Sequence, residues 1–169
     1  MNISKIPEVR REVIAKVLVG IQFLMLGLLG IAALMNISNK SHNYLVLEAV
    51  LIVLGGAVIA SAGISLRPSL RISPIPKVDS PLIAIGIYKY VRHPMYLGVI
   101  LIGIGLAGFA DSSATWIMAG ILVIDLNFKS RFEDELLREI HPESFHYQLH
   151  TSRIIPCLGG SCRENCELK

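Results

Sequence analysis

Residues 14–35 read IAKVLVGIQFLMLGLLGIAALM and residues 45–66 read LVLEAVLIVLGGAVIASAGISL. Each run has 22 residues, about 33 Å of helix at ~1.5 Å per residue, against a hydrocarbon core of ~30 Å. Lys16 and Glu48 are their sole charged residues, and the polar stretch from Asn36 to Asn43 separates them. Such a pair reads as a hairpin of membrane-spanning helices. Ile14–Met35 is too long for the apolar core of a signal peptide and further apolar runs follow it, so it is expected to be retained.

The rest of the chain agrees with this class. It is 53% hydrophobic and 17% charged, with a mean hydropathy of +0.58, where soluble domains carry about a quarter charged residues. Two shorter apolar runs follow, at 94–110 and 115–128; the second contains Asp125 and leads into a charged, helix-compatible stretch. The fold expected is an all-α integral membrane domain of about four transmembrane helices, the last continuing into a cytoplasmic helix. Residues 67–93 then form a cytoplasmic loop, 129–156 a cytoplasmic helical segment and 157–169 a cysteine-bearing tail.

Charge sets the expected orientation. Of 16 basic residues, Lys40 alone falls in an outer loop, so the positive-inside rule puts both termini in the cytoplasm. A net charge of +3 spread this way gives no reason to expect a nucleic-acid partner, and no protein partner is read either. Cys157, Cys162 and Cys166 then lie in a reducing compartment; they form neither a disulfide framework nor a zinc-site spacing. No metal site is expected.

Glycines at 20, 27, 30, 55 and 56 suit close helix packing. Gln22 and Glu48 are candidates to line a polar cavity, though a shallow acid such as Glu48 is ordinarily wetted at the interface. Pro68, Pro74, Pro76 and Pro81 keep the Arg67–Ile87 connection extended, and a loop of this length suggests a lid. Ser112 or Ser113 is a plausible helix N-cap.

Chemistry gathers in two places. Gly86-Ile87-Tyr88-Lys89-Tyr90-Val91-Arg92-His93-Pro94-Met95-Tyr96-Leu97-Gly98 sets Tyr, Arg and His against the mouth of the third apolar run, where ionisable groups are costly and point to function. A headgroup anchor made of Arg and Tyr is the plainer alternative. The second cluster runs from Asp125 to Glu139. Asp125, Lys129 and Glu133 recur every four residues and share one helical face, with Arg131 and Glu135 as a second such pair. Taken alone, this cluster reads as a solvated amphipathic helix laced with ion pairs.

Together the two clusters, with Tyr147 and Arg153-Ile154-Ile155-Pro156, resemble the isoprenylcysteine carboxyl methyltransferase family, related to the phospholipid N-methyltransferases. The resemblance covers roughly residues 82–156. It implies a small helical membrane enzyme using S-adenosylmethionine, with Tyr88, Arg92, His93, Pro94, Tyr96, Gly98, Glu133 and Tyr147 shaping the cofactor pocket. Arg131 and Glu135 would serve catalysis, Arg131 by orienting the acceptor. Pro94 would force His93 out of helical geometry, and Gly98 would let a large ligand approach the backbone. Phe145 or Tyr147 would cover the cofactor. The acceptor implied is a lipid or lipophilic molecule from the bilayer, isoprenylcysteine-carboxylate-like. Competing readings are an NADPH-dependent membrane reductase of the sterol or isoprenoid type, which shares a similar Arg-His-Pro-x-Tyr segment, and a non-enzymatic membrane scaffold.

Overall fold

The computed structural model describes residues 7–36, 44–66, 85–142 and 144–156. Five helices follow in order: α1 (Glu8–Asn36), α2 (Leu45–Leu66), α3 (Pro94–Ala110), α4 (Ser113–Ile140) and α5 (Ser144–His150), with a 3₁₀ turn at Gly86–Lys89 before α3. Among the described residues there are no strands, only a parallel bridge between Val91 and Ser152. The Asn36–Asn43 turn beyond its first residue, the proposed lid at 67–84 and the three tail cysteines lie outside the described residues.

The second and third apolar runs become helices with the expected limits, and the other two run longer. α1 starts at Glu8 rather than Ile14 because the charged entry segment continues the same helix. α4 does not stop at the end of its apolar run. It is continuous for 28 residues, about 42 Å, so the apolar run and the charged stretch after it form one helix. Its start is fixed by Ser112, whose hydroxyl accepts from the Thr115 amide at 3.2 Å in a reciprocal capping box. Pro142 prevents continuation after Ile140, so the expected 129–156 segment splits into the end of α4 and α5.

Successive helices run antiparallel. Arg11 near the start of α1 pairs with Glu139 near the end of α4 at 2.7 Å, while Glu48 early in α2 packs on Gly108 late in α3. The tightest seam joins α2 to α3. A Cβ on Gly98 would lie 2.6 Å from the Gly55 carbonyl oxygen and 2.5 Å from Ile59 Cγ1, so the missing side chain lets the two backbones meet. Gly98 therefore serves helix packing here rather than opening room for a ligand. Gly55 is its counterpart, whereas Gly20, Gly27, Gly30 and Gly56 face open space and do not pack as expected.

A core of Leu29, Val99, Ala107, Ala119, Leu122 and Leu126 joins α1, α3 and α4. Outside it the usual order of a soluble protein is inverted. Phe23, Leu34, Val53 and Ile117 are exposed, while Gln22, Glu48, Thr115, Asp125 and Lys129 are buried. Glu48 is thus enclosed against α3, not wetted. An apolar exterior around a polar interior is what a lipid solvent selects. α1 and α2 have the length and hydropathy to cross a bilayer, and α3 is a shorter apolar helix.

Candidate active site

The motif before α3 is shaped by its own sequence. Gly86 takes φ +59°, a left-handed conformation open to glycine at little cost, and starts the 3₁₀ turn that carries Tyr88. Pro94 occupies the first position of α3 and holds His93 at φ −121°, ψ 61°, outside the helix. The imidazole makes no cap hydrogen bond and turns instead toward α4. There the acids of the second cluster meet it: His93 Nδ1 lies 3.2 Å from Glu133 Oε2 and Nε2 lies 2.9 Å from Asp134 Oδ1.

Two carboxylates facing both ring nitrogens favour the imidazolium. Burial works against the charged form, but the hydrogen bonds to Asp134 and Glu133 outweigh it and lift His93 to about 9. Tyr96, one turn along α3, stacks on the His93 ring at 5.3 Å and donates its hydroxyl to Glu133 Oε1 at 2.5 Å. Asp134 also draws Arg92, whose Nη1 is 2.9 Å from Oδ2, and Arg153, whose Nε is 3.4 Å from the same oxygen. Burial lowers the Arg92 guanidinium from its ordinary value, against the pull of Asp134.

The C-terminal segment closes the site from the other side. Ser152 and Arg153 accept backbone hydrogen bonds from Arg92 and His93 at 2.8 and 2.9 Å. Tyr147 of α5 donates to the Tyr88 carbonyl at 2.6 Å, and burial pushes both phenols up to about 12. α5 is itself held to α4 through Gln148, which accepts from Arg138 Nε at 2.5 Å and donates to the Asp134 carbonyl at 3.0 Å. Phe145 is exposed and lies against Arg138, so Tyr147 is the aromatic that reaches the motif.

Tyr88, Arg92, His93, Tyr96, Glu133 and Tyr147 thus converge, with Pro94 positioning the histidine. Gly98 faces α2. Arg131 is exposed and Glu135 half-buried, and neither belongs to the network around His93. The α4 cluster is not a solvated face: Lys129 is 3% and Asp134 6% exposed. Asp134, the hub, has no counterpart among the site residues expected from sequence, and neither do Arg153 and Lys129. Lys129 donates to Gln22 Oε1 at 2.6 Å and sits 5.0 Å from the Tyr96 ring centroid. Its four-residue spacing from Asp125 and Glu133 was the available signal. Among the described residues no group of three or more His, Cys, Asp or Glu is arranged to hold a metal ion.

Comparison with known proteins gives one positive result. No curated protein and no solved structure matches the chain. A family model described as phospholipid methyltransferase matches residues 43–144, more than half of the chain, spanning α2, the motif, α3 and α4. This range contains Arg92, His93, Tyr96, Glu133 and Asp134, the centre of the charged network. The chain belongs to the phospholipid methyltransferase family, which includes the isoprenylcysteine carboxyl methyltransferases, and is a membrane methyltransferase.

Proposed function

We propose that the chain transfers a methyl group from S-adenosylmethionine to a lipophilic, isoprenylcysteine-carboxylate-like acceptor drawn from the bilayer. The observation that carries this reading is the charged network at the mouth of α3. Arg92 Nε is buried and has no hydrogen-bond partner among the described residues, while Arg92 Nη1 and Arg153 Nε face Asp134 Oδ2 as ion pairs without hydrogen-bond geometry. Buried guanidinium groups incompletely satisfied beside carboxylates suit a ligand that bears an amino-acid carboxylate, an ammonium and a ribose diol. S-adenosylmethionine has all three. Arg92 and Arg153 would hold the carboxylate, and Glu133 and Asp134 the ammonium or the hydroxyls.

When bound, the cofactor supplies a methyl carbon on a positively charged sulfur, open to in-line displacement. Transfer of that methyl to an acceptor oxygen would form a carbon–oxygen bond in place of the carbon–sulfur bond, the bonding pair leaving with sulfur as a neutral thioether. A carboxylate acceptor has no proton to lose, so the protein's work is alignment and exclusion of water. Tyr147 and the 151–156 segment close over the motif and shield the network. His93 fixes Glu133 and Asp134 in place, and Tyr96 ties Glu133 to α3. Of the two cations flanking this stretch of α4, Arg131 stands exposed at the rim. Lys129, buried between Gln22 and Tyr96, is placed to meet an acceptor carboxylate arriving from the membrane side.

The full topology has four spans, with α3 and the first half of α4 completing the bundle and both termini cytoplasmic. The cofactor then enters from the cytoplasm and the acceptor enters sideways.

Calorimetric titration of detergent-purified protein with S-adenosylhomocysteine, and with NADPH in parallel, tests the reading. Micromolar binding of the first, lost in Glu133→Ala, is expected. Binding of NADPH alone would move the chain to a reductase chemistry, and binding of neither would leave a scaffold.

A further inference from the structure

Helix α5 inverts the order of an aqueous surface. Its polar side chains face inward: Ser144 is 0% and Gln148 7% exposed, and Gln148 is fixed to Arg138 and to the Asp134 carbonyl of α4. Phe145 and Leu149, four residues apart and so on one helical face, point outward at 52% and 44% exposure. A helix lying in water shows the opposite pattern. The same inversion marks α1, α2 and α4, where Phe23, Val53 and Ile117 are exposed and Gln22, Glu48 and Asp125 buried. Neighbouring segments extend it. The stretches joined by the Val91–Ser152 bridge carry exposed Tyr90 and Ile155. Ile85, also exposed, precedes Gly86, which abuts Ser65 in the last turn of α2 beside the outward-facing Ile64.

Depth identifies what covers this face. Gln148 meets α4 at Asp134, about 32 Å along the axis from Ser113, against a hydrocarbon core of ~30 Å. With α4 crossing from its Ser113 end, α5 comes to the cytoplasmic boundary between acyl chains and headgroups. We propose that α5 lies in that boundary as an interfacial helix, with Phe145 and Leu149 entering the cytoplasmic leaflet. His146 and His150, exposed at the border of the same face and in edge contact, set polar ring nitrogens among the headgroups, as amphipathic side chains do at this depth. The inference rests on the four-span topology proposed above and is independent of the acceptor. Its consequence reaches the site. α5 also carries Tyr147, whose hydroxyl holds the Tyr88 carbonyl, so lipid on one side of this helix supports closure of the charged network on the other.

Tryptophan fluorescence of the full chain in phosphatidylcholine nanodiscs tests this, with acyl chains brominated near the headgroup or near the chain end and iodide as aqueous quencher. Trp116, the sole tryptophan, is exposed in the first turn of α4 and reports in the native chain whether that end lies in the bilayer. Phe145→Trp and Leu149→Trp, each on a Trp116→Phe background, report on α5. Headgroup-proximal bromine should quench both α5 probes about twofold more than chain-end bromine, with little quenching by iodide. If bromine quenches Trp116 while the α5 probes respond to iodide alone, the interfacial helix is overturned and the topology stands. Shielding of the α5 probes from both quenchers would assign the face to a protein contact and overturn it equally. Trp116 open to iodide and indifferent to bromine overturns the four-span topology and the inference with it. A second readout uses Phe145→Gln with Leu149→Gln: amide exchange across residues 144–156 in nanodiscs should rise about tenfold or more as α5 loses its lipid contact. Exchange equal to that of wild type overturns the proposal.

Discussion

His93 makes the network's stability depend on pH in a direction opposite to that of an ordinary buried histidine. Burial alone would hold the ring neutral, yet the hydrogen bonds to Asp134 and Glu133 lift it from 6.5 to about 9. Because the folded value is raised, the stabilisation is fully present below 6.5 and is lost as pH rises through about 9. At ~1.4 kcal/mol per tenfold change in proton affinity, the full effect is on the order of 3 kcal/mol. The perturbation is therefore alkaline titration, with His93→Gln as the reference that lacks the titrating group. Unfolding of detergent-purified protein between pH 6 and 10 should show wild type losing about 3 kcal/mol relative to the variant, mostly between pH 7 and 10. Carbon-13-labelled histidine spectra should place the His93 resonance on the same curve, and Asp134→Asn should move its midpoint downward. A His93 midpoint near 6.5, or stability profiles that run parallel in wild type and His93→Gln, would refute the reasoning.

Three further outcomes follow from the packing. Gly98→Ala should destabilise by about 1–3 kcal/mol, because its Cβ meets the fixed Gly55 carbonyl, whereas Gly56→Ala, facing open space, should be neutral or gain up to ~1 kcal/mol; paired unfolding curves decide it. Tyr147→Phe should cost about 1 kcal/mol through loss of the hydrogen bond to the Tyr88 carbonyl, read as a lower melting temperature. Arg131→Ala, at an exposed position, should shift stability by less than ~0.5 kcal/mol, so any fall in its methyl-transfer rate reports on the reaction and not on folding.

The helices were legible because lipid imposes a length and a composition on any segment that spans it. Leu45–Leu66 and Pro94–Ala110 carry their limits in the chain: polar residues before the first, proline at the first position of the second. α4 was harder to bound, because it leaves the apolar zone without leaving helical geometry. Hydropathy records the solvent around a helix, and only a breaker such as Pro142 marks its end. The glycines were half legible for a related reason. A glycine shows that close approach is allowed, but which face meets a neighbour depends on helix rotation. Gly55 and Gly98 therefore touch while Gly56, one residue on, points outward.

The network's centre was hidden for a different reason. Glu133, Asp134 and Glu135 are chemically near-equivalent neighbours in a helix, each turned about 100° from the next, so a sequence fixes the acidic run without saying which acid faces the motif. Tertiary geometry assigns Glu133 to Tyr96 and His93, Asp134 to His93, Arg92 and Arg153, and leaves Glu135 outside the network. The helical period then extends the choice downward. Once Glu133 faces the motif, Lys129 and Asp125 must lie on the same stripe, one and two turns earlier in α4.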